Sequence, residues 1–293
     1  MKVFDCFTFY NEFELLELRL ESLYNVVDYF VIVESNKTHT NKPKKFNFLE
    51  KKDEFKKFFP KIRYIMEEDE VPYKGIGDWS IENNQRNNIM KGLIDAEQED
   101  LVFISDLDEF PKPDILTRLN NRQDILISQY TPIPAACGGK RIIIPCRLMV
   151  HAIDLLEYIP ISMNQNRHDY YFNWICKETW QGTILTKYKN LTIPQNLRNL
   201  RTALPRVLEG GWHFSWMGGI DKVIDKMTSI VDGNEIVQKS NDKLTDKQYV
   251  KESMMNGTDI YKIRSQMLPY DIKNIDLPYL QTFVTKYPHF LKS

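Results

Sequence analysis

The chain has 293 residues, 42% hydrophobic and 27% charged, with 39 Lys and Arg against 40 Asp and Glu for a formal net charge of −1. That is ordinary globular usage, long enough for one large α/β domain or two smaller ones, and the charge balance argues against a nucleic-acid partner. The four cysteines, Cys6, Cys137, Cys146 and Cys176, are too few for a disulfide framework and show no Cys-x-x-Cys spacing, so they read as free thiols. Cys137 and Cys146 flank a possible hairpin that turns at Gly138-Gly139.

Asp5 sits inside the only N-terminal apolar run, and no stretch approaches the roughly 20 apolar residues of a membrane span. The expectation is a soluble, cytoplasmic chain with no signal peptide, no membrane anchor and no transmembrane segment. Three glycosylation sequons, at Asn36, Asn190 and Asn256, read as chance in such a chain.

Residues 3–9 read as a strand, and Asn11-Glu12 opens a helix in which Phe13, Leu16, Leu20 and Leu23 recur at helical spacing. A strand-to-helix turn presents backbone N–H groups to a ligand, which makes Thr8, Asn11 and Glu12 candidates to line a nucleotide pocket. Residues 29–33 form a second buried strand ending in Glu34, placed to accept from a nucleobase or ribose. Residues 35–45 read as a mobile loop, 46–59 as a charged amphipathic helix and 62–66 as a third strand. Ser80 then caps a helix with Ile81, Ile89 and Leu93 on its apolar face. Asn83, Asn84, Gln85, Asn87 and Asn88 crowd around Arg86, whose planar fork suits a phosphate.

Residues 101–108, Leu-Val-Phe-Ile-Ser-Asp-Leu-Asp, are the most informative stretch. An apolar run that stops abruptly in carboxylates is a buried strand reaching the ligand edge of a parallel sheet. Residues i and i+2 of an extended segment point the same way, so Asp106 and Asp108 can share one divalent cation that also holds a diphosphate. Pro113 starts a short helix, and 124–130 form another strand. Strand–helix alternation to residue 130 predicts a parallel, doubly wound sheet.

Beyond residue 130 the chain is rich in aromatics, including Trp174, Trp180, Trp212, Phe214 and Trp216, which suits stacking on sugar rings. Residues 210–221 carry His213 on an alternating strand, then Gly218-Gly219, then Asp221 at the start of a helix running to residue 231. His213 is a candidate third contact to the metal or diphosphate, and the helix dipole would keep Asp221 ionised. Residues 241–293 read as a partly helical extension to a catalytic domain spanning 1–240. That domain divides into a nucleotide-sugar half, 1–130, and an acceptor half, 131–240.

Residues 4–12, 27–40, 82–87, 105–109 (Ser-Asp-Leu-Asp-Glu) and 210–219 together resemble glycosyltransferase family 17, the group containing the β-1,4-mannosyl-glycoprotein β-1,4-N-acetylglucosaminyltransferases. The resemblance implies a GT-A-type fold, Rossmann-like, with a mostly parallel sheet flanked by helices. It also implies a nucleotide-sugar donor, usually UDP-N-acetylglucosamine, and inversion at the anomeric carbon. The Asp-x-Asp role of holding Mn2+ or Mg2+ on the donor diphosphate carries to Asp106 and Asp108. Arg86-Asn87 resembles the Arg-Asn that lies by the donor in family 2 glycosyltransferases. Gly218-Gly219-Ile220-Asp221 is similar to the segment supplying the catalytic base of β-1,4-galactosyltransferases, which points to Asp221. The animal members are Golgi-anchored and this sequence shows no anchor, so their glycoprotein acceptor does not follow.

The expectation is therefore a metal-dependent, inverting transferase that moves a sugar to a glycan or glycoprotein hydroxyl, with Asp221 as base and Glu178 and Asp169 as reserves. Two alternatives stay open. A nucleotidyltransferase shares the sheet and the metal but normally has a Gly-rich phosphate loop after the first strand, where this chain has Phe9-Tyr10-Asn11-Glu12. A glycan-binding protein on a transferase scaffold would use the aromatics without turnover.

Overall fold

The computed structural model describes residues 1–133, 142–150, 152–240, 243–261 and 266–293; Cys137 and the Gly138-Gly139 turn lie outside the described residues. Strands β1 (Val3–Thr8), β2 (Tyr29–Ser35), β3 (Ile62–Glu67) and β4 (Leu101–Asp106) are linked by helices α1 (Phe13–Leu23), α2 (Asn47–Lys51) and α3 (Ser80–Asn87). They pair in parallel in the order β3-β2-β1-β4.

The chain continues through β5 (Glu109–Pro111), α4 (Pro113–Asn120), β6 (Ile125–Ile133), β7 (Ile142–Val150), α5 (Ala152–Leu155), β8 (Ile161–Asp169) and β9 (Trp174–Ile175). It then forms β10 (Thr179–Lys187), α6 (Pro194–Asn199), β11 (Arg206–Ser215), α7 (Ile220–Ser229), α8 (Val231–Lys239), α9 (Lys247–Asn256), β12 (Leu268–Pro269) and α10 (Leu280–Lys286). Among the described residues the large sheet extends from β4 as β4-β10-β8-β11-β6-β7, with β5 on β11. Within this extension only β8 and β11 run parallel. Because β10 is antiparallel to β4, its beginning lies at the carboxyl ends of the parallel strands, beside Asp106. The fold is mixed α/β, with the parallel half followed by an antiparallel-rich half.

Strand parity decides what each side of the sheet receives. Val3 and Phe7 of β1, with Leu101 and Phe103 of β4, join the core beneath α1. Phe4, Cys6, Val102 and Ile104 join the opposite core, with Ile89, Leu93 and Leu197. The same alternation turns Asp5 and Ser105 toward α1, and Thr8 and Asp106 toward α3.

The α1 side holds the main structural device. Arg19 of α1 is fully buried and donates to both oxygens of the equally buried Asp5, at 2.7 and 2.6 Å. Its Nη2 also donates to Ser105 Oγ at 2.7 Å, and Nη1 to the backbone carbonyls of Asp106, Leu107 and Glu109 at 3.2, 2.9 and 2.7 Å. The guanidinium lies 4.5 Å from the Phe7 ring centre and 5.3 Å from that of Phe110. One buried cation thus satisfies three carbonyls of the acidic turn after β4.

Several sequence expectations shift by a turn or less. The helix expected over 46–59 divides into α2 and a 3₁₀ segment, Lys52–Phe58, whose three-residue repeat brings Phe55 and Phe58 to the same side. Ser80 is the first residue of α3 rather than its cap, and its hydroxyl donates instead to the Pro72 carbonyl. The loop 35–45 is tied down: His39 bonds to α3, and Thr40 donates to the Thr228 carbonyl of α7. The extension after residue 240 is part of the body of the protein. Leu280, Phe283 and Phe290 sit in the main core, and Tyr279, Lys286 and Tyr287 all bond to Glu17 of α1. Gly211 carries β11 against β5 so closely that a Cβ there would overlap the Phe110 carbonyl.

Removing one partner of a buried ion pair leaves an uncompensated charge, so Arg19→Met should cost about 3–5 kcal/mol in urea unfolding. The double change Asp5→Leu with Arg19→Met should recover much of that loss. Additive single losses in the double variant would contradict a paired, desolvated clamp.

Candidate active site

A cavity of about 630 Å³ opens at the carboxyl ends of β1 and β4 and is walled by α3, α6, β11 and the α7–α8 region. Its floor is the acidic turn that Arg19 holds from beneath.

The strand ends at Asp106, so the i, i+2 parity expected of Asp106 and Asp108 stops there, and each carboxylate has its own partners. Asp106 accepts from Arg86 Nη2 at 2.6 Å and from Arg198 Nη2 at 2.9 Å. Asp108 accepts from Lys226 Nζ at 2.6 Å, and its other oxygen lies 3.6 Å from His213 Nε2. Burial penalises both charges, but Arg86 and Arg198 around Asp106, and Lys226 and His213 around Asp108, more than offset it and hold both carboxyls far below the usual range. Both groups are carboxylates at any physiological pH.

A second layer orients these groups. Glu109 accepts from Arg198 at 2.5 and 2.8 Å, from Trp180 Nε1 at 2.5 Å and from the Asp106 backbone N–H at 3.0 Å. Gly182 of β10 leaves the space that Glu109 and Trp180 fill. Trp180 stacks on His213 with ring centres 4.9 Å apart. Arg86 is further held by Glu82 at 3.1 Å and by Gln195 of α6.

Three of the crowded amides of α3 tie down a neighbour. Gln85 donates to the Val33 carbonyl at 2.8 Å, Asn84 donates to Glu67 at 2.9 Å, and Asn87 accepts the Gln195 N–H at 3.0 Å. His39 makes a 2.9 Å hydrogen bond to Gln85 and lies 3.3 Å from Glu82.

Of the residues singled out from the sequence, Thr8, Glu12, Arg86, Asp106, Asp108 and His213 line the cavity. Asn87 stands behind the wall, positioning α6. Asn11 bonds through its side chain to Asp225 and borders a smaller adjoining hollow. Glu34 takes a structural role: fully buried, it accepts from Lys44, from the Asn47 and Phe48 N–H groups that start α2, and from the Tyr64 hydroxyl. With four donors in place it has no capacity left for a nucleobase.

Asp221 is placed away from the cavity. Its side chain is 83% exposed and pairs with Lys247, because Gly218 and Gly219, both at positive φ, swing the chain out of β11 before α7 begins. The two glycines turn the backbone there and are not part of the cavity lining. Asp169 is buried against Arg167, and Glu178 also lies outside the lining.

His39, Arg198, Arg201, Lys226 and Asp232 line the cavity without having been singled out from the sequence. Arg198 and Lys226 each lie in a short helix where a basic residue resembles ordinary surface charge. The only signal available was the excess of carboxylates at 106–109, which demanded counter-charges from elsewhere in the chain.

Residues 1–128 match the profile of glycosyltransferase family 17. Over those residues, fewer than half of its length, the chain is similar to that family. It is accordingly an enzyme that transfers sugar, with a sugar donor and a glycan acceptor as its partners. No curated protein matches the sequence. The family 17 match takes in β1 to β4, α3 and the acidic turn, and stops short of Trp180, Arg198, His213 and Lys226. Among the described residues no helix is long and apolar enough to cross a membrane.

The His39–Glu82 contact gives a pH test. Burial works against the charged His39 ring, but the Glu82 carboxylate outweighs it and raises the His39 pKa above 6.5, while Glu82 is held down at about 2. The raised His39 pKa adds stability that is complete below pH 6.5 and is lost as pH rises through the folded-state midpoint. In a histidine NMR titration the His39 midpoint should lie above 6.5 and fall in Glu82→Gln, where the carboxylate no longer offsets burial. An unchanged midpoint in the variant would contradict the pairing.

Proposed function

We propose that the chain is a metal-dependent, inverting glycosyltransferase of GT-A type that moves a sugar, N-acetylglucosamine from UDP-GlcNAc being the first choice, onto a glycan hydroxyl. One observation carries the reading: the acidic turn meets three cationic side chains inside a large cavity at the carboxyl edge of a parallel sheet. A diphosphate needs such cations, and a divalent ion needs such carboxylates. The parallel side, with Thr8, His39 and Gln85, would take the nucleotide. The aromatic side, with Trp180 and Trp216, would take the sugars.

A divalent ion fits Asp108 and His213 better than it fits Asp106. Asp108 keeps one oxygen turned toward His213 Nε2, and both residues are nearly buried, whereas both Asp106 oxygens are taken by guanidinium groups. Among the described residues no third His, Cys, Asp or Glu completes a protein cage. That suits an ion of the magnesium and manganese type, which takes one or two protein ligands and fills its shell with water and substrate phosphate. When bound, such an ion would supply Lewis-acid stabilisation of the leaving diphosphate. Arg86 and Arg198, held in place by Asp106, Glu82 and Glu109, would bind the phosphate oxygens, and Lys226 would add a mobile charge.

Inversion needs a base for the acceptor hydroxyl. Of the carboxylates lining the cavity, Glu82, Asp106 and Asp108 are committed to cations, and Glu12 accepts the Asn11 N–H. The Asp232 side chain, at the start of α8, makes no hydrogen bond or ion pair among the described residues. Burial, with Glu82 and Glu235 nearby, raises its pKa, which strengthens it as a base. Asp232 therefore takes the role expected of Asp221.

Manganese-dependent UDP binding by calorimetry, together with UDP release from UDP-GlcNAc in the presence of candidate glycans, tests this reading. Asp232→Asn should keep UDP affinity and lose turnover by about a hundredfold or more, while Asp221→Asn stays near wild type. Asp108→Ala should lose the manganese dependence of UDP binding. Full turnover in Asp232→Asn would send the search for the base elsewhere, and undiminished manganese-dependent binding in Asp108→Ala would remove the metal from the account.

A further inference from the structure

Three cations at the cavity floor each hold a carboxylate; a fourth does not. Arg201 lies one helical turn beyond Arg198, half-buried, with its guanidinium 5.7 Å from the Trp180 ring centre. The one hydrogen bond its side chain makes among the described residues is a 3.4 Å contact to the Arg198 carbonyl, and no carboxylate of those residues stands within ion-pair distance. Burial and the neighbouring Arg198 and Arg86 charges lower its pKa, so its charge is poorly compensated where it stands. An anion placed beside it would relieve that cost.

Two further groups lining the same cavity lack partners among the described residues. Trp216 Nε1 and the Tyr261 hydroxyl are buried and make no hydrogen bond among the described residues, with their rings edge to face at 5.6 Å. Buried donors of this kind are normally satisfied, so a ligand rich in hydroxyls is the natural partner. Asp232 feels the Arg201 charge without pairing with it, which puts the proposed base in the same part of the cavity. The nucleotide side of the reading above is lined by Thr8 and Gln85.

We propose that Arg201, over Trp180, is the anion-recognising element of the acceptor subsite, so that the accepted sugar carries a carboxylate or a phosphate group. The assignment rests on the glycosyl-transfer reading above. Trp180 supplies the platform for the sugar ring, Trp216 and Tyr261 bond its hydroxyls, and the Arg201 fork takes the charged substituent in a bidentate contact that lysine reproduces only in part.

The test is a ligand-observed NMR titration of the UDP-saturated protein in manganese with three probes: methyl glucuronide, methyl glucoside 6-phosphate and methyl glucoside. At least one charged glycoside should bind about tenfold more tightly than the neutral one, and which of the two does so distinguishes carboxylate from phosphate. Arg201→Gln should abolish that preference and Arg201→Lys should restore part of it. Equal binding of all three probes to the wild type, or a preference that survives Arg201→Gln, would overturn the assignment. So would an Arg201→Gln variant that loses UDP affinity but keeps the preference, since Arg201 would then belong to the donor diphosphate. UDP binding measured without glycoside keeps the two readings apart: its absence defeats the transferase reading, whereas UDP binding without a charge preference defeats only the acceptor assignment.

Discussion

A fully buried guanidinium holds the acidic turn of this protein together. Arg19 is costly to bury and is tolerated because Asp5 neutralises it bidentately, while Ser105 and three backbone carbonyls use its remaining donors. Those carbonyls belong to Asp106, Leu107 and Glu109, in the turn that carries the site carboxylates. By fixing the backbone of 106–109 from beneath, Arg19 leaves the Asp106 and Asp108 side chains to meet groups from α3, α6, α7 and β11, so a contact inside the core sets the geometry of the cavity floor.

Above the floor, charge is arranged in alternating layers. Asp106 lies between Arg86 and Arg198; these are held in turn by Glu82 and Glu109, and Glu109 also takes the Trp180 N–H. Each ion is oriented by one farther out, so little reorganisation is needed when a charged substrate arrives, the condition under which fixed charges contribute most to catalysis. Asp108 is the exception. Its partners are a lysine on a flexible stem and a histidine whose second ring nitrogen is buried without a partner. The loosest pair is the one to which the proposed function assigns the metal–diphosphate complex.

The parallel half was largely legible in the sequence, because β1, β2 and β4 are short apolar runs ending in polar residues and the next element after β1 and after β2 is a helix. The acidic turn was legible for the same reason. Asp5 stood out in the sequence only as a charge inside an apolar run; its pairing with Arg19 on the leucine-rich helix was not read there and comes from the structure. The rest of the site was hidden by distance. Arg198, Lys226 and Asp232 are separated from Asp106 by about a hundred residues of chain, and the antiparallel crossing that brings β10 beside β4 cannot be read from local pattern. Glu34 and Asp221 have the acidic character that a site needs. Their outcomes depended on which way the backbone turned after β2 and β11, the first folding onto the start of α2 and the second swinging out to solvent.

The most direct measurement is the release of nucleoside diphosphate from a panel of nucleotide sugars, followed by mass spectrometry with the wild-type protein in manganese. The account predicts cleavage of at least one donor, with UDP-GlcNAc first among them, and protection of the cavity from hydrogen exchange when that donor is bound. A protein that neither cleaves nor binds any nucleotide sugar in the panel would contradict it.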